Sequence, residues 1–295
     1  MSNFTSPQII IIGAGIGGLT AAALLAKAGY RVVVLEAQTY AGGCAGTFVH
    51  QGYRFDAGAT IVGGFHANGP HALVGRLLDL EWPVRPHDPA WVVHLPDREI
   101  ALTQDNGDVV AQFPHTTRFW RAQSHLADLG WRMSAAGMPW PPGDLTEVAQ
   151  LVRVGLSHFP ADVAMVPHAF GTVADWLRQM RLDTDRTFRR FLDAQLLISA
   201  QATSAQVNTL WGATALDLAR QGVYHVEGGI GSLAETLIHK IRALGGEVHF
   251  RQRVTGIAVE QGRVTGVHVG LGKHTTKTEF VPADFVIANL TPFSL

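Results

Sequence analysis

After Gln8, Ile9-Ile10-Ile11-Ile12 is an uninterrupted β-branched run, and such a run predicts a strand buried on both faces. Small and apolar residues from Leu19 to Ala28 predict a helix, and Arg31 to Leu35 a second buried strand. Further on, Leu73, Val74, Leu77 and Leu78 recur at helical spacing, which predicts a short helix over 70–80. Pro83, Pro86 and Pro89 then punctuate a connection, after which Trp91–Leu95, Glu99–Thr103 and Val109–Phe113 read as antiparallel strands. Their turns would be Pro96-Asp97 and Asn106-Gly107. From His115 to about Arg220 the period becomes helical, with amphipathic stretches at Trp176–Met180 and Phe188–Ile198 and interruptions at Pro139, Pro141 and Pro142. The chain then predicts a helix over Leu233–Leu244 and a strand over Val248–Val254. A ribbon of Ile257–Glu260 and Val264–Val269 across Gln261-Gly262 follows, and a last strand over Asp284–Asn289.

The chemistry sits between the first strand and the first helix, at Gly13-Ala14-Gly15-Ile16-Gly17-Gly18. Strand, glycine turn, helix and strand form one βαβ unit of the Rossmann type. Gly13 serves the tight turn, Gly15 the approach of a pyrophosphate to the backbone, and Gly18 the close packing of helix on sheet. A helix beginning there offers free N–H groups and a positive dipole end to phosphates. Glu36 closes the second strand, eighteen residues after Gly18, where an acid takes the ribose hydroxyls of an adenosine. The unit therefore binds a dinucleotide. A carboxylate repels a 2′-phosphate, which leaves NAD or FAD.

Other readings of the opening stretch fail on charge and glycine content. Residues 9–26 carry no charge, yet the first eight residues hold no Lys or Arg, and glycines split the run. The net charge of −1 gives no electrostatic footprint for nucleic acid. The single cysteine, Cys44, precludes an internal disulfide and fits a reducing compartment. Fourteen histidines fall in no pattern with metal-ligand spacing, so no metal is expected. No GxSxG elbow is present for a hydrolase.

Tyr40-Ala41-Gly42-Gly43-Cys44-Ala45-Gly46-Thr47 follows directly after the acid, and the stretch from Gly52 to Thr60 reads GYRFDAGAT. On these residues the chain resembles the FAD-dependent amine oxidase superfamily, and within it the phytoene desaturase and carotenoid isomerase group. It looks most like the bacterial late-pathway carotenoid desaturases. The resemblance implies a hairpin over 47–60 and a cofactor, FAD, held by Gly13, Ala14, Gly15, Ile16, Gly17, Gly18, Glu36, Ala37, Gly42, Gly43, Cys44, Gly58, Ala59 and Thr60. It adds Val254, whose backbone would contact the adenine. Where the wider superfamily often places arginines around the doublet, this chain has Tyr40 and Cys44, which removes cationic partners near the phosphates.

The implied fold is α/β: a Rossmann-type FAD-binding domain, glutathione-reductase-like, with an inserted α+β substrate domain. Segments 1–82 and 223–295 would form the flavin domain and 83–222 the substrate domain. Members of the group run to nearly twice this length, so a third flavin-domain segment is expected to be absent and the chain truncated. The implied activity is desaturation or isomerisation of a hydrophobic, carotenoid-like polyene in an apolar site, and no residue stands out as a catalytic acid or base. Two alternatives stay open: an amine oxidase or protoporphyrinogen oxidase relative, and a non-catalytic fragment or half of a split flavoprotein completed by a C-terminal half on another chain. A cytoplasmic protein is expected, peripheral on the inner face of a membrane that delivers the substrate. Leu151-Val152-Arg153-Val154-Gly155-Leu156, with Phe159 and Met165, reads as buried core or as the lipid-facing surface.

Overall fold

The computed structural model describes residues 6–136, 143–157, 168, 170–270 and 278–291. The chain divides into two compact units. One comprises residues 1–62, 74–85 and 225–295, the other 63–73 and 86–224. This division differs from the sequence-based one in giving 63–73 and 223–224 to the second unit and 83–85 to the first.

The first unit is built on a parallel sheet in the order Glu247–His249, Arg31–Leu35, Gln8–Ile12, Phe285–Ala288. Isoleucine at the last four positions of the central strand lets both faces be buried, since alternate side chains point to opposite sides. Ile9 and Ile11 face the helices Ile16–Lys27 and Ser232–Ala243, packing with Leu19, Ala22, Ala23, Leu237 and Ile241. Ile10 and Ile12 face the opposite way, onto Val267, Val269 and Ala283. Those residues come from or adjoin an antiparallel ribbon of Arg253–Glu260, Arg263–Gly270 and Thr278–Pro282. Gln261 and Gly262 both take positive φ at its first turn, as a two-residue hairpin loop requires.

The expected strand Val248–Val254 is interrupted. Glu247–His249 belongs to the parallel sheet and Arg253–Glu260 to the ribbon, so Val254 begins a different sheet. Between them Arg251 has φ 58°, and the Arg251 and Gln252 N–H groups donate to the Gln38 and Glu36 carbonyls. Val248, Phe250 and Val254 keep an apolar residue at alternate positions on both sides of the polar Gln252, so one polar position is all that marks this corner in the sequence.

The second unit holds a hairpin, Trp91–Leu95 with Arg98–Leu102, followed by helices. Val109–Phe113, expected as a third strand, is instead most of the helix Gly107–Gln112. Val109 and Phe113 are both buried, a spacing that suits one face of a helix as well as it suits a strand. Asp105 and Asp108 decide the matter, accepting the N–H groups of Gly107 and of Ala101 on the preceding strand at 2.9 and 2.7 Å. The helices Thr117–Ala135, Val173–Gln179 and Arg186–Ser199 bury an aromatic cluster of Phe113, Phe119, Trp120, Trp176, Phe188 and Phe191. The starts of the last two are set by side-chain caps: Thr172 and Asp175 form a reciprocal capping box, and Asp185 accepts the Thr187 and Phe188 N–H groups.

Candidate functional site

The glycine turn leaves the carboxyl end of the central strand, the edge at which open α/β sheets bind ligands. Gly13 has φ 94°, which favours glycine, and its N–H donates to Leu35 O at 2.8 Å, locking the turn to the neighbouring strand. Gly15 caps the helix that follows without a side-chain hydrogen bond, and the first turn carries no acid. Among the described residues no side chain caps the amide groups of that turn, an arrangement suited to receiving an anion.

Glu36 is tied into the same turn. Its Oε2 accepts the N–H of fully buried Ala14 at 2.7 Å, and its Oε1 accepts the Gln38 N–H at 2.7 Å. Each carboxylate oxygen retains a lone pair for a further donor. The glycine doublet arrives from the other side. Gly42, at φ 104°, donates to Ala14 O at 2.8 Å, and Gly43 opens a short 3₁₀ turn ending at Ala45. Cys44 is exposed on that turn, and its carbonyl meets the next segment: a Cβ on Gly58 would stand 2.6 Å from Cys44 O, and Ala59 N–H donates to it at 3.4 Å.

Thus Gly13, Ala14, Gly15, Ile16, Gly17, Gly18, Glu36, Ala37, Gly42, Gly43, Cys44, Gly58 and Ala59 form one contiguous neighbourhood. Thr60 follows Ala59 and is exposed. Val254 connects to the neighbourhood through Gln252, whose N–H donates to Glu36 O at 2.8 Å, while its side chain packs beneath the parallel sheet. A free-amide helix start, a carboxylate with spare acceptors and two glycine turns in contact fit a dinucleotide with unphosphorylated ribose. A separate cleft, lined by Gln8, Arg31, Arg263 and Phe285, lies at the amino ends of the same strands and has none of these features.

Two anchoring residues lay unremarked within the family-like stretch. Asp56 Oδ1 accepts the Thr47 hydroxyl at 2.6 Å and the Ile230 N–H at 3.0 Å, and Thr47 Oγ1 accepts the Gly231 N–H at 2.8 Å. The hairpin Thr47–His50 with Tyr53–Asp56 is thereby pinned to the start of the helix Ser232–Ala243. Partners so far apart in sequence leave no local signal.

The second unit contains an apolar cavity of about 660 Å³ bordered by Pro70, Trp131, Met133, Leu210, Trp211 and Leu218. Behind it, fully buried Asp217 accepts from Gln123 and Trp131 at 3.1 Å each, and from Arg220 and Gln221 at 2.7 Å each. Arg220 also bonds Asp128. The Trp131 indole is consequently fixed, with His66 against its edge at 4.9 Å between ring centroids. Burial holds the His66 pKa below its usual 6.5 against the opposing pull of Asp217. His71 shifts the same way for the same reason.

The helix Leu145–Ser157 exposes Leu145, Val148, Val152 and Arg153, so the core reading of that stretch fails at Val152. Phe159 and Met165 lie outside the described residues. Among the described residues no helix is long and apolar enough to cross a membrane.

Fold and site together define a dinucleotide-binding α/β protein. Residues 16–292 match the family described as flavin containing amine oxidoreductase, and the chain belongs to that family. Membership implies FAD as the cofactor. Over 96% of its length the chain is 28% identical to prolycopene isomerase 2 from an Oncidium hybrid cultivar, covering 48% of that protein. It is 27% identical to the neurosporene-forming phytoene desaturase of Cereibacter sphaeroides, with 96% of this chain and 52% of the relative covered. The chain thus spans about half the length of the curated relatives it matches. An oxidoreductase structure from Methanosarcina mazei superimposes with a TM-score of 0.62 at 20% identity, covering 96% of this chain and 58% of that one, which shows the shared fold.

Proposed function

We propose that this chain is the FAD-binding and substrate-contacting part of an oxidoreductase that desaturates or isomerises a carotenoid-like polyene. The observation that carries the reading is the alignment of 96% of the chain with an isomerase of prolycopene and a desaturase of phytoene. Both names denote long hydrocarbons with no charged handle. The FAD would be held at its diphosphate by the free amides of Gly15–Gly18, at its adenosine ribose by Glu36, and by the Gly42-Gly43 turn across from them. Once bound, FAD supplies the redox chemistry that these side chains lack.

The chain's own residues bind, orient and exclude water. An uncharged polyene is recognised by apolar area, and the cavity bordered by Trp131, Met133, Leu210 and Trp211 supplies such a lining. Asp217 holds the Trp131 indole in place through its N–H. The peripheral-membrane reading draws support from the helix Leu145–Ser157, whose Leu145, Val148 and Val152 are exposed.

The test begins with the visible spectrum of the purified chain and the mass of any released cofactor. Protein carrying FAD is then incubated with a poly-cis carotene and with a more saturated acyclic carotene, and the products are separated by chromatography. A product of unchanged mass and altered retention supports isomerisation, and one short of two hydrogens supports desaturation. Turnover of an amine in place of either carotene would overturn the substrate assignment.

A further inference from the structure

Asn289 follows the edge strand Phe285–Ala288, and its N–H donates to Ile12 O at 2.9 Å. This places its side chain over the glycine turn. Nδ2 stands 2.8 Å from where a Cβ on Gly15 would be and 3.0 Å from that of Gly18, and Oδ1 stands 3.1 Å from that of Gly17. Three glycines of the turn therefore make room for one carboxamide. Among the described residues neither end of that carboxamide has a hydrogen-bond partner, although the residue is half-buried. Its Nδ2 donors, unpaired and beside the Gly15 and Gly18 backbone, stand at the helix start where an anion is received.

We infer that Asn289 is a diphosphate ligand, its carboxamide N–H joining the amides of Gly15–Gly18 in binding the dinucleotide. The inference rests on the FAD reading above and adds to it a residue 271 positions after Gly18 in the chain. It also gives the three glycines a second purpose, since any side chain there would displace the carboxamide.

The experiment is calorimetric titration of the purified chain and its Asn289→Asp and Asn289→Ala variants with FAD, ADP and adenosine. Asn289→Asp keeps the shape and places a negative charge against the diphosphate. It is expected to weaken FAD and ADP binding by on the order of ten- to a hundredfold, with a deficit that shrinks as salt is raised. Asn289→Ala should lose affinity for the same two ligands with no such salt dependence. Adenosine, which lacks phosphates, should bind all three proteins alike. If a variant loses adenosine and ADP equally, or loses its fold, Asn289 is structural and the inference falls. If both variants bind ADP as the parent does, the inference falls while the FAD reading stands. If the parent binds neither FAD nor ADP, the dinucleotide reading fails and takes the inference with it.

Discussion

Substituting Gly18 by alanine sets two known effects against each other. Alanine within the helix Ile16–Lys27 gains about 0.8–1 kcal/mol over glycine through backbone entropy. The added methyl, however, would stand 2.5 Å from the Gly13 carbonyl oxygen and 3.0 Å from both Cβ and Nδ2 of Asn289. A relaxed heavy-atom contact is about 3.5 Å, so the turn or the helix must move by roughly 1 Å. The offending atom is backbone and cannot rotate away, which puts the cost toward the upper end of the ~1–3 kcal/mol typical of overpacking. Subtracting the helix gain leaves Gly18→Ala destabilised by about 1–2 kcal/mol. Gly17→Ala is the matched control. There the methyl would meet only Asn289 Oδ1, at 3.1 Å, on a side chain free to swing. It should be neutral or gain up to about 1 kcal/mol. Because the chain has two units, a global unfolding curve mixes them, and amide exchange of Ile9–Ile12 reads this unit alone. Protection should fall in Gly18→Ala and hold in Gly17→Ala. Unchanged or higher protection in Gly18→Ala, or equal loss in both, would refute the close-packing argument.

Three further expectations follow from the same structure. Glu36→Ala leaves the buried Ala14 N–H without its acceptor and should cost about 1–3 kcal/mol, with Glu36→Gln milder because one oxygen survives; amide exchange of Ile9–Ile12 in the three proteins checks this. Asp217→Ala removes the acceptor shared by Gln123, Trp131, Arg220 and Gln221 and should destabilise the second unit by about 3–5 kcal/mol, read as loss of exchange protection in Thr117–Ala135. His66 and His71 both have pKa values lowered by burial, so their neutral forms stabilise the fold above the usual 6.5, and that stability is lost as pH falls through the folded-state values. Melting of the parent should decline below that pH, with a shallower slope in His71→Phe; an identical slope in the variant would exclude His71 as a source.

The sequence alone determined the opening βαβ unit of this protein. The run Gln8–Ile12, the glycine turn and Arg31–Leu35 are local and strongly patterned. Steric limits on φ at Gly13 and the burial of alternating isoleucines act within a few residues of where they are read. The family-specific stretch from Gly52 to Thr60 was legible as a motif, though its anchoring role was not, because Asp56 meets Ile230 only after the chain has passed through another unit. Tertiary structure decided wherever local pattern is ambiguous. Val109–Phe113 has a spacing compatible with helix or strand, and Asp105 and Asp108 tip it to helix. Val248–Val254 reads as one strand until Glu36 and Gln38 turn it onto a second sheet. Asn289 likewise gains its place over the glycine turn from the pairing of the last strand with the first, a parallel contact across nearly the whole chain. Hydrophobic period reports which face of an element is buried, and only the packed fold decides what that face meets.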